Sequence, residues 1–171
     1  CTSCLEITGG NSLDCIEIDG ASNNSVDNIR DLRESIALSP VHGRYKIYII
    51  DEVHMLSQGA FNALLKTLEE PPRHAKFIFA TTDAHKVPAT IISRCQRFQF
   101  RRVPLQDILE KLREITKLEK IEADTEALTL IAKAAEGSLR DAEGLLDQLA
   151  NFSKGKIKTE EVEKTLGLAS T

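Results

Sequence analysis

The chain has 171 residues and a formal net charge of −4, and 42% of its residues are hydrophobic. This is enough for one ordinary globular core and a small second domain. Its longest apolar runs are far shorter than the roughly 20 residues of a membrane-spanning helix, so we expect no membrane partner. The negative net charge disfavours nucleic-acid binding through the overall field, and any such binding must use a local basic surface.

Four cysteines are spread unevenly along the chain, at Cys1, Cys4, Cys15 and Cys95. This distribution is unlike the dense framework of a small secreted protein, and we expect a reducing, cytoplasmic environment. We interpret Cys15 and Cys95 as small buried side chains on or near strands. Because the sequence begins at Cys1 rather than at a methionine, we also expect further sequence upstream.

Four apolar runs have the composition of β-strands, at 15–18, 45–50, 76–80 and 97–100. Helical patterns lie between the first three, and this alternation predicts an α/β fold with a parallel sheet. The first helix carries an apolar face over 26–36. Ser57 is the expected N-cap of the next helix, whose apolar stripe ends at Pro71 and Pro72.

The periodicity becomes purely helical after Pro104. Gly137 is expected to end the second helix of this part, Ser138 to cap the third and Thr159 to cap a short fourth. We place the domain boundary near residue 103, which gives an α/β part over 1–103 and an all-helical part over 104–171.

Two acids, Asp51 and Glu52, directly follow four apolar residues at the end of the second strand. This matches the Walker B pattern, in which the aspartate holds Mg²⁺ and the glutamate activates water. Two acids also occur at ordinary strand ends. One strand further on, Thr82 can reach the same crevice, although a turn-forming Thr-Asp pair explains it equally well.

Two arginines have positions that suggest an anionic partner. Arg94 precedes the fourth predicted strand. An arginine at this position is too far from the strand ends to reach the nucleotide of its own subunit, so the nucleotide of a neighbouring subunit is the natural target. A surface ion pair is the alternative. Arg140 lies in the first turn of a helix, where a cation is poorly matched to the helix dipole, unless Asp141 pairs with it. For the histidines, including His54, we expect surface or hydrogen-bonded roles.

Five segments together resemble the gamma/tau family of bacterial DNA polymerase III, the AAA+ clamp-loader ATPases, and the match covers essentially the whole chain. They are YIIDEVHMLS at 48–57, FNALLKTLEEPP at 61–72, ATTD at 80–83, SRC at 93–95 and EGSLRD at 136–141. The resemblance implies an incomplete AAA+ P-loop-type parallel sheet with flanking helices, followed by a small all-helical lid.

The resemblance also implies a role for each candidate residue. Asp51 is the Mg²⁺-associated acid, Glu52 the catalytic base and Thr82 the sensor 1 residue. Arg94 is the arginine finger that acts on a neighbouring subunit, and Arg140 is the sensor 2 residue of the lid. The implied partners are the other subunits of a pentameric ring, the sliding clamp and primer-template DNA, whose backbone would face helix N-termini such as that after Ser57.

One departure from the family pattern and one partial match to it concern the cofactors. No Gly-x-x-x-x-Gly-Lys-Ser/Thr loop occurs in the sequence, so we expect this chain alone neither to bind ATP tightly nor to hydrolyse it. Cys1 and Cys4 resemble the last two ligands of the family's four-cysteine zinc module. Two thiolates do not complete a tetrahedral site, and we expect no stable Zn²⁺ here.

Two rival interpretations remain open. The first is a non-hydrolysing structural subunit of the same ring, against which the intact Asp51, Glu52 and Arg140 argue. The second is another AAA+ machine, such as a branch-migration helicase. The Ser-Arg-Cys element at 93–95 and the helix end at 68–72 favour the clamp loader.

Overall fold

The protein was analysed as a computed structural model that describes residues 1–153 and 155–167. The chain divides into two compact units, Cys1–Phe98 and Gln99–Thr171. Of the described residues, the first unit contains all three strands, and the second is helical. The assignment of a partial core to 1–103 and a lid to 104–171 stays a prediction.

The first unit is built on a parallel sheet, as the sequence predicted. Its strands are β1 (Cys15–Asp19), β2 (Lys46–Asp51) and β3 (Ala75–Phe79), in the order β1-β2-β3. Asp19 pairs with Asp51, and Ile50 pairs with Phe79. The carboxyl ends of the three strands are therefore level, and the residues that follow β2 and β3 meet at one edge.

Helices cover this sheet because their apolar stripes match its buried positions. They are α2 (Val26–Ile36), α3 (Gln58–Glu69) and α4 (Ala89–Ile92), whereas α1 (Thr2–Thr8) buries none of its residues. In β2, Tyr48 and Ile50 are fully buried, and the Tyr48 ring stacks on Phe77. The Ser57 hydroxyl accepts a hydrogen bond from the Ala60 N–H at 3.2 Å, which confirms it as the N-cap of α3.

The prediction of a fourth strand at 97–100 is wrong. In the described part of the chain this segment pairs with none of the three strands, and Phe98 and Phe100 are 76% and 96% exposed. Alternating aromatic residues give a strand-like pattern, but a strand forms only where another backbone completes its hydrogen bonds. The predicted burial of Cys95 is also wrong, since Cys95 is exposed, and Cys15 is only partly buried.

Within its described residues, the second unit is a bundle of four helices, as predicted. They are α5 (Leu105–Leu118), α6 (Thr125–Ala134), α7 (Leu139–Phe152) and α8 (Thr159–Thr165). Residues from all four helices and the segment before α8 form one core, including Ile108, Leu112, Ile131, Leu146 and Val162. No helix in the described ranges has both the length and the apolar composition to span a bilayer.

Helix ends in this unit follow the sequence closely. The Ser138 hydroxyl accepts a hydrogen bond from the Asp141 N–H at 3.3 Å, which confirms Ser138 as the N-cap of α7. Gly137 was predicted to end α6, but the C-cap is Ala135; Gly137 lies two residues later with φ +90°, in the region that favours glycine. Thr159 was predicted as the cap of α8 but is its first helical residue, because Lys158 occupies the cap position.

Candidate functional site

The carboxyl edge of the sheet brings together three of the predicted site residues. Asp51 is the last residue of β2, Glu52 follows it, and Thr82 lies just beyond β3. The two strand ends stay joined past the last paired residues, since the Val53 N–H donates to the Ala80 carbonyl at 3.0 Å. One Asp51 carboxylate oxygen accepts from the Glu52 N–H at 2.9 Å.

Glu52 has a strained backbone that changes the direction of the chain after β2. Its φ and ψ of 44° and 45° lie in the left-handed region, which few residues other than glycine adopt. Such strain is frequent at functional sites, where the surrounding structure maintains it. The Glu52 carboxylate accepts hydrogen bonds from the Thr82 hydroxyl at 3.0 Å and from the Thr82 N–H at 3.3 Å.

His54 and Thr81 complete this cluster, and sequence reasoning did not assign either to the site. The His54 Nδ1 lies 3.2 Å from a Glu52 carboxylate oxygen and 2.9 Å from the Thr81 hydroxyl. The hydroxyl also accepts from the Asp83 N–H at 3.0 Å. The expected hydrogen-bonded role of His54 is thus observed. The sequence signal that could have assigned His54 to the site is its position two residues after Glu52.

Two more carboxylates lie close to this edge and are held in their charged form. A hydrogen bond from Lys86, at 3.1 Å, holds the pKa of Asp83 below its usual range. Hydrogen bonds from the Ser22 hydroxyl and the Ala21 N–H do the same for the pKa of Asp19 at the end of β1. The edge therefore presents oxygen acceptors with negative charge, as a hard cation requires.

Arg94 makes its contacts outside this cluster, and Arg140 belongs to the second unit. Arg94 follows α4, and its guanidinium donates to the Glu69 carboxylate at 2.5 Å and to the Thr90 carbonyl at 2.6 Å. It thus forms the ion pair that was the alternative to a phosphate contact. Arg140 is exposed in the first turn of α7, in the second unit, and no ion pair joins it to Asp141 within the described residues.

The Cys1 and Cys4 thiols lie 3.5 Å apart at the start of α1, and both are exposed. Among the described residues, no group of three or more His, Cys, Asp or Glu side chains has the arrangement of a metal site. The pair supplies half of a tetrahedral ligand set, so these two residues alone do not fit a structural Zn²⁺.

Comparison with known families decides the identity of the chain. A family model described as DNA polymerase III, delta subunit, matches residues 1–104. A second, described as DNA polymerase III clamp loader subunit, ATPase lid domain, matches residues 107–155. The chain belongs to the DNA polymerase III clamp-loader subunits.

This clamp-loader chain is similar in sequence to tau and gamma subunits of several bacteria, which confirms the resemblance found in the sequence. It is 53% identical to the DNA polymerase III subunit tau of Bacillus subtilis over 99% of the chain and 30% of that protein. It is 49% identical to the subunit tau of Escherichia coli over 98% of the chain and 26% of that protein. The chain thus spans less than a third of these two relatives.

Solved structures confirm the AAA+ type of fold. The RuvB Holliday junction branch migration motor of Thermotoga maritima covers 97% of this clamp-loader chain with a TM-score of 0.65, and the chain covers 65% of it. At 19% identity this likeness shows the fold alone. A DNA polymerase III gamma subunit-related protein of Thermotoga maritima is 27% identical, with a TM-score of 0.52, over 92% of this chain and 58% of that one.

Proposed function

We propose that this chain supplies the Walker B acids and the lid of the ATPase site in a clamp-loader motor subunit. That subunit opens the sliding clamp and loads it onto primer-template DNA during replication. The observation that carries this proposal is the 3.0 Å contact between Glu52 and Thr82, which joins two neighbouring strand ends beside Asp51. A water-activating carboxylate and a hydroxyl on adjacent strands suit the hydrolysis of a phosphoanhydride bond.

The residues at this edge fit the roles proposed for them with ATP and Mg²⁺. Asp51 is exposed, and one of its carboxylate oxygens has no hydrogen-bond partner among the described residues, so it is available to a hard cation. Glu52 would accept a proton from the attacking water, and Thr82 would orient the carboxylate. A bound Mg²⁺ would neutralise charge that develops on the phosphate oxygens.

Arg94 and Arg140 are proposed to contact phosphate from opposite sides of a subunit boundary. Arg94 must leave Glu69 to serve as a finger for a neighbouring subunit, and this exchange is feasible because a partly exposed ion pair contributes little free energy. Arg140, exposed at the start of α7, is proposed to contact the nucleotide of its own subunit.

The remaining proposals concern the surroundings of the chain. Its partners would be the other subunits of a pentameric ring, the clamp and DNA, in the cytoplasm. Cys1 and Cys4 would bind Zn²⁺ only together with two further cysteines from elsewhere in the full protein.

The chain alone would be inactive as an ATPase, because no backbone loop of the Walker A type is present to hold the phosphates.

A structural subunit of the same ring is the second candidate, and one observation favours it. The model that matches 1–104 is described as the delta subunit, whereas the relatives named above are tau subunits. A subunit that hydrolyses no ATP of its own does not need the acids and the lid arginine. Their presence together is why we favour the motor.

Substitution of Glu52 tests the proposal in a clamp-loader protein that carries this sequence together with a phosphate-binding loop. Glu52→Gln should lower the DNA-stimulated ATPase rate by about 10²-fold or more while ATP binding is kept. Glu34→Gln, on the exposed side of α2, is the matched control and should leave the rate unchanged. A Glu52→Gln protein with the full rate would contradict the proposed role of Glu52, whereas an unsubstituted protein that binds ATP without hydrolysing it would favour the structural subunit. Micromolar ATP binding by the present chain in calorimetry would contradict the expectation that it does not bind ATP tightly.

A further inference from the structure

His54 is held rigidly between two polar side chains of the candidate site. Its side chain is 11% exposed, and it belongs to a short 3₁₀ turn over Val53–Met55. The buried Val53 anchors this turn, and the Met55 N–H donates to the Glu52 carbonyl at 2.8 Å. The imidazole therefore has a fixed position relative to Glu52, which precedes the turn.

The neighbours of Nδ1 determine which ring nitrogen carries the proton. Nδ1 lies 3.2 Å from a Glu52 oxygen and 2.9 Å from the Thr81 hydroxyl oxygen. An ionised carboxylate only accepts hydrogen bonds, so a lone pair on Nδ1 would face it unfavourably. A proton on Nδ1 satisfies both neighbours, because the Thr81 oxygen has a further lone pair beside the one that accepts from Asp83.

We infer that His54 is a positioning residue whose Nδ1–H holds the Glu52 carboxylate against Thr82. The inference rests on the proposed function, since it assigns Glu52 to the chemistry. Without His54, the exposed Thr82 is the one described residue whose hydrogen bonds would hold the carboxylate, through contacts of 3.0 to 3.3 Å. A catalytic group displaced by about 1 Å can lose about 10²-fold in rate, so the support matters for turnover rather than for ATP binding.

The tautomer can be measured in the present chain, without nucleotide. Long-range ¹H–¹⁵N correlation spectra at a pH where the imidazole is neutral identify the protonated nitrogen, and the His54→Asn variant assigns the signals. We expect the proton on Nδ1 in the unsubstituted chain. A proton on Nε2 would overturn the inference, because Nδ1 could then donate nothing to Glu52.

Two substitutions at His54 separate a hydrogen-bond donor from mere packing. Asn places an amide N–H near the position of Nδ1, whereas Leu fills the space without a donor. In a clamp-loader protein with a phosphate-binding loop, His54→Leu should lower kcat by about 10- to 100-fold with KM for ATP nearly unchanged. His54→Asn should stay within about threefold of the unsubstituted protein, because it restores the donor.

The Glu52→Gln protein shows which of the two proposals fails. If Glu52→Gln is inactive while His54→Leu keeps the full kcat, the positioning role is wrong and the proposed function stands. A His54→Asn protein as slow as His54→Leu would also overturn the inference, because the donor would then not matter. If Glu52→Gln itself is fully active, the proposed function fails, and the tautomer still tests the His54 contact.

Discussion

The Thr82 hydroxyl lies 3.0 Å from the Glu52 carboxylate, although the two residues are 30 positions apart in sequence. The parallel register of β2 and β3 creates this contact, because both strands end at the same edge of the sheet. A threonine that follows one strand can therefore control the orientation of an acid that follows its neighbour.

Replacement of Thr82 by valine tests this contact. Valine keeps the branched shape and removes the hydroxyl donor, and Thr82 is exposed, so the free energy of unfolding should change by less than about 0.5 kcal/mol. In a clamp-loader protein with a phosphate-binding loop, the ATPase rate should fall by about tenfold or more. Thr82→Ser keeps the hydroxyl and serves as the control. Equal rates for all three proteins would exclude a role for the hydroxyl.

A second carboxylate, that of Asp14, fixes the loop before β2. It is buried and accepts hydrogen bonds from the N–H groups of Val41, His42 and Gly43 at 2.6 to 2.8 Å. Asp14→Asn places an amide group among these donors and should lower the free energy of unfolding by about 2–4 kcal/mol at neutral pH. Urea denaturation measures the loss. The control Asp27→Asn removes an exposed ion pair with Arg30 and should cost under about 1 kcal/mol.

Stability should also depend on pH through Asp14. Burial raises the pKa of this carboxyl, but the three N–H donors outweigh it and hold the pKa below its usual range. A lowered pKa in the folded state stabilises the protein above the ordinary carboxyl pKa of about 3.9, and this contribution disappears as the pH falls through the folded-state value. The stability difference between Asp14→Asn and the unsubstituted chain should therefore shrink from about pH 6 to about pH 2. A difference independent of pH would contradict this account.

Two glycines of the helical unit should respond to alanine in opposite ways. Gly137 has φ +90°, and a Cβ there would lie 2.5 Å from the Arg102 Cβ, so Gly137→Ala should destabilise this unit by about 1–3 kcal/mol. Gly144 lies inside α7 with no atom near its missing side chain. Gly144→Ala should stabilise the unit by about 0.5–1 kcal/mol through helix propensity. Thermal unfolding of both variants measures these effects, and a shift of the same sign in both would contradict them.

Much of this architecture was predictable because it depends on local signals. The periodicity of α2 and α3, the caps Ser57 and Ser138 and the apolar run of β2 each follow from a few neighbouring residues. The segment 97–100 has the same local character as a strand, yet it forms none in the described chain, because strand formation depends on a partner that the segment itself does not specify.

The candidate site shows the same division between local and long-range information. The positions of Asp51 and Glu52 follow from β2 alone. The left-handed backbone of Glu52 and its contacts with His54 and Thr82 require the pairing of β2 with β3, which one segment does not reveal. The ion pair between Arg94 and Glu69 likewise depends on where the end of α3 lies relative to α4.

The proposed role of Arg94 as an arginine finger leads to a prediction about neighbouring subunits. In the complete clamp loader, Arg94→Ala should leave ATP binding in its own subunit nearly unchanged and lower DNA-stimulated hydrolysis at the adjoining site, where the transition-state charge loses a cation. Arg140→Ala should instead weaken the response of its own subunit to nucleotide. Nucleotide binding and hydrolysis measured for each variant separate the two arginines.

Rings of mixed composition then test whether Arg94 acts on its neighbour. One defect is Arg94→Ala, and the other is Glu52→Gln in an adjacent subunit. When both defects fall at the same interface, the second defect should lower the clamp-loading rate little further than the first, because that site is already inactive. When they fall at separate interfaces, two sites are lost and the clamp-loading rate should fall further. A greater loss with both defects at the shared interface would contradict the assignment of Arg94 to the neighbouring site.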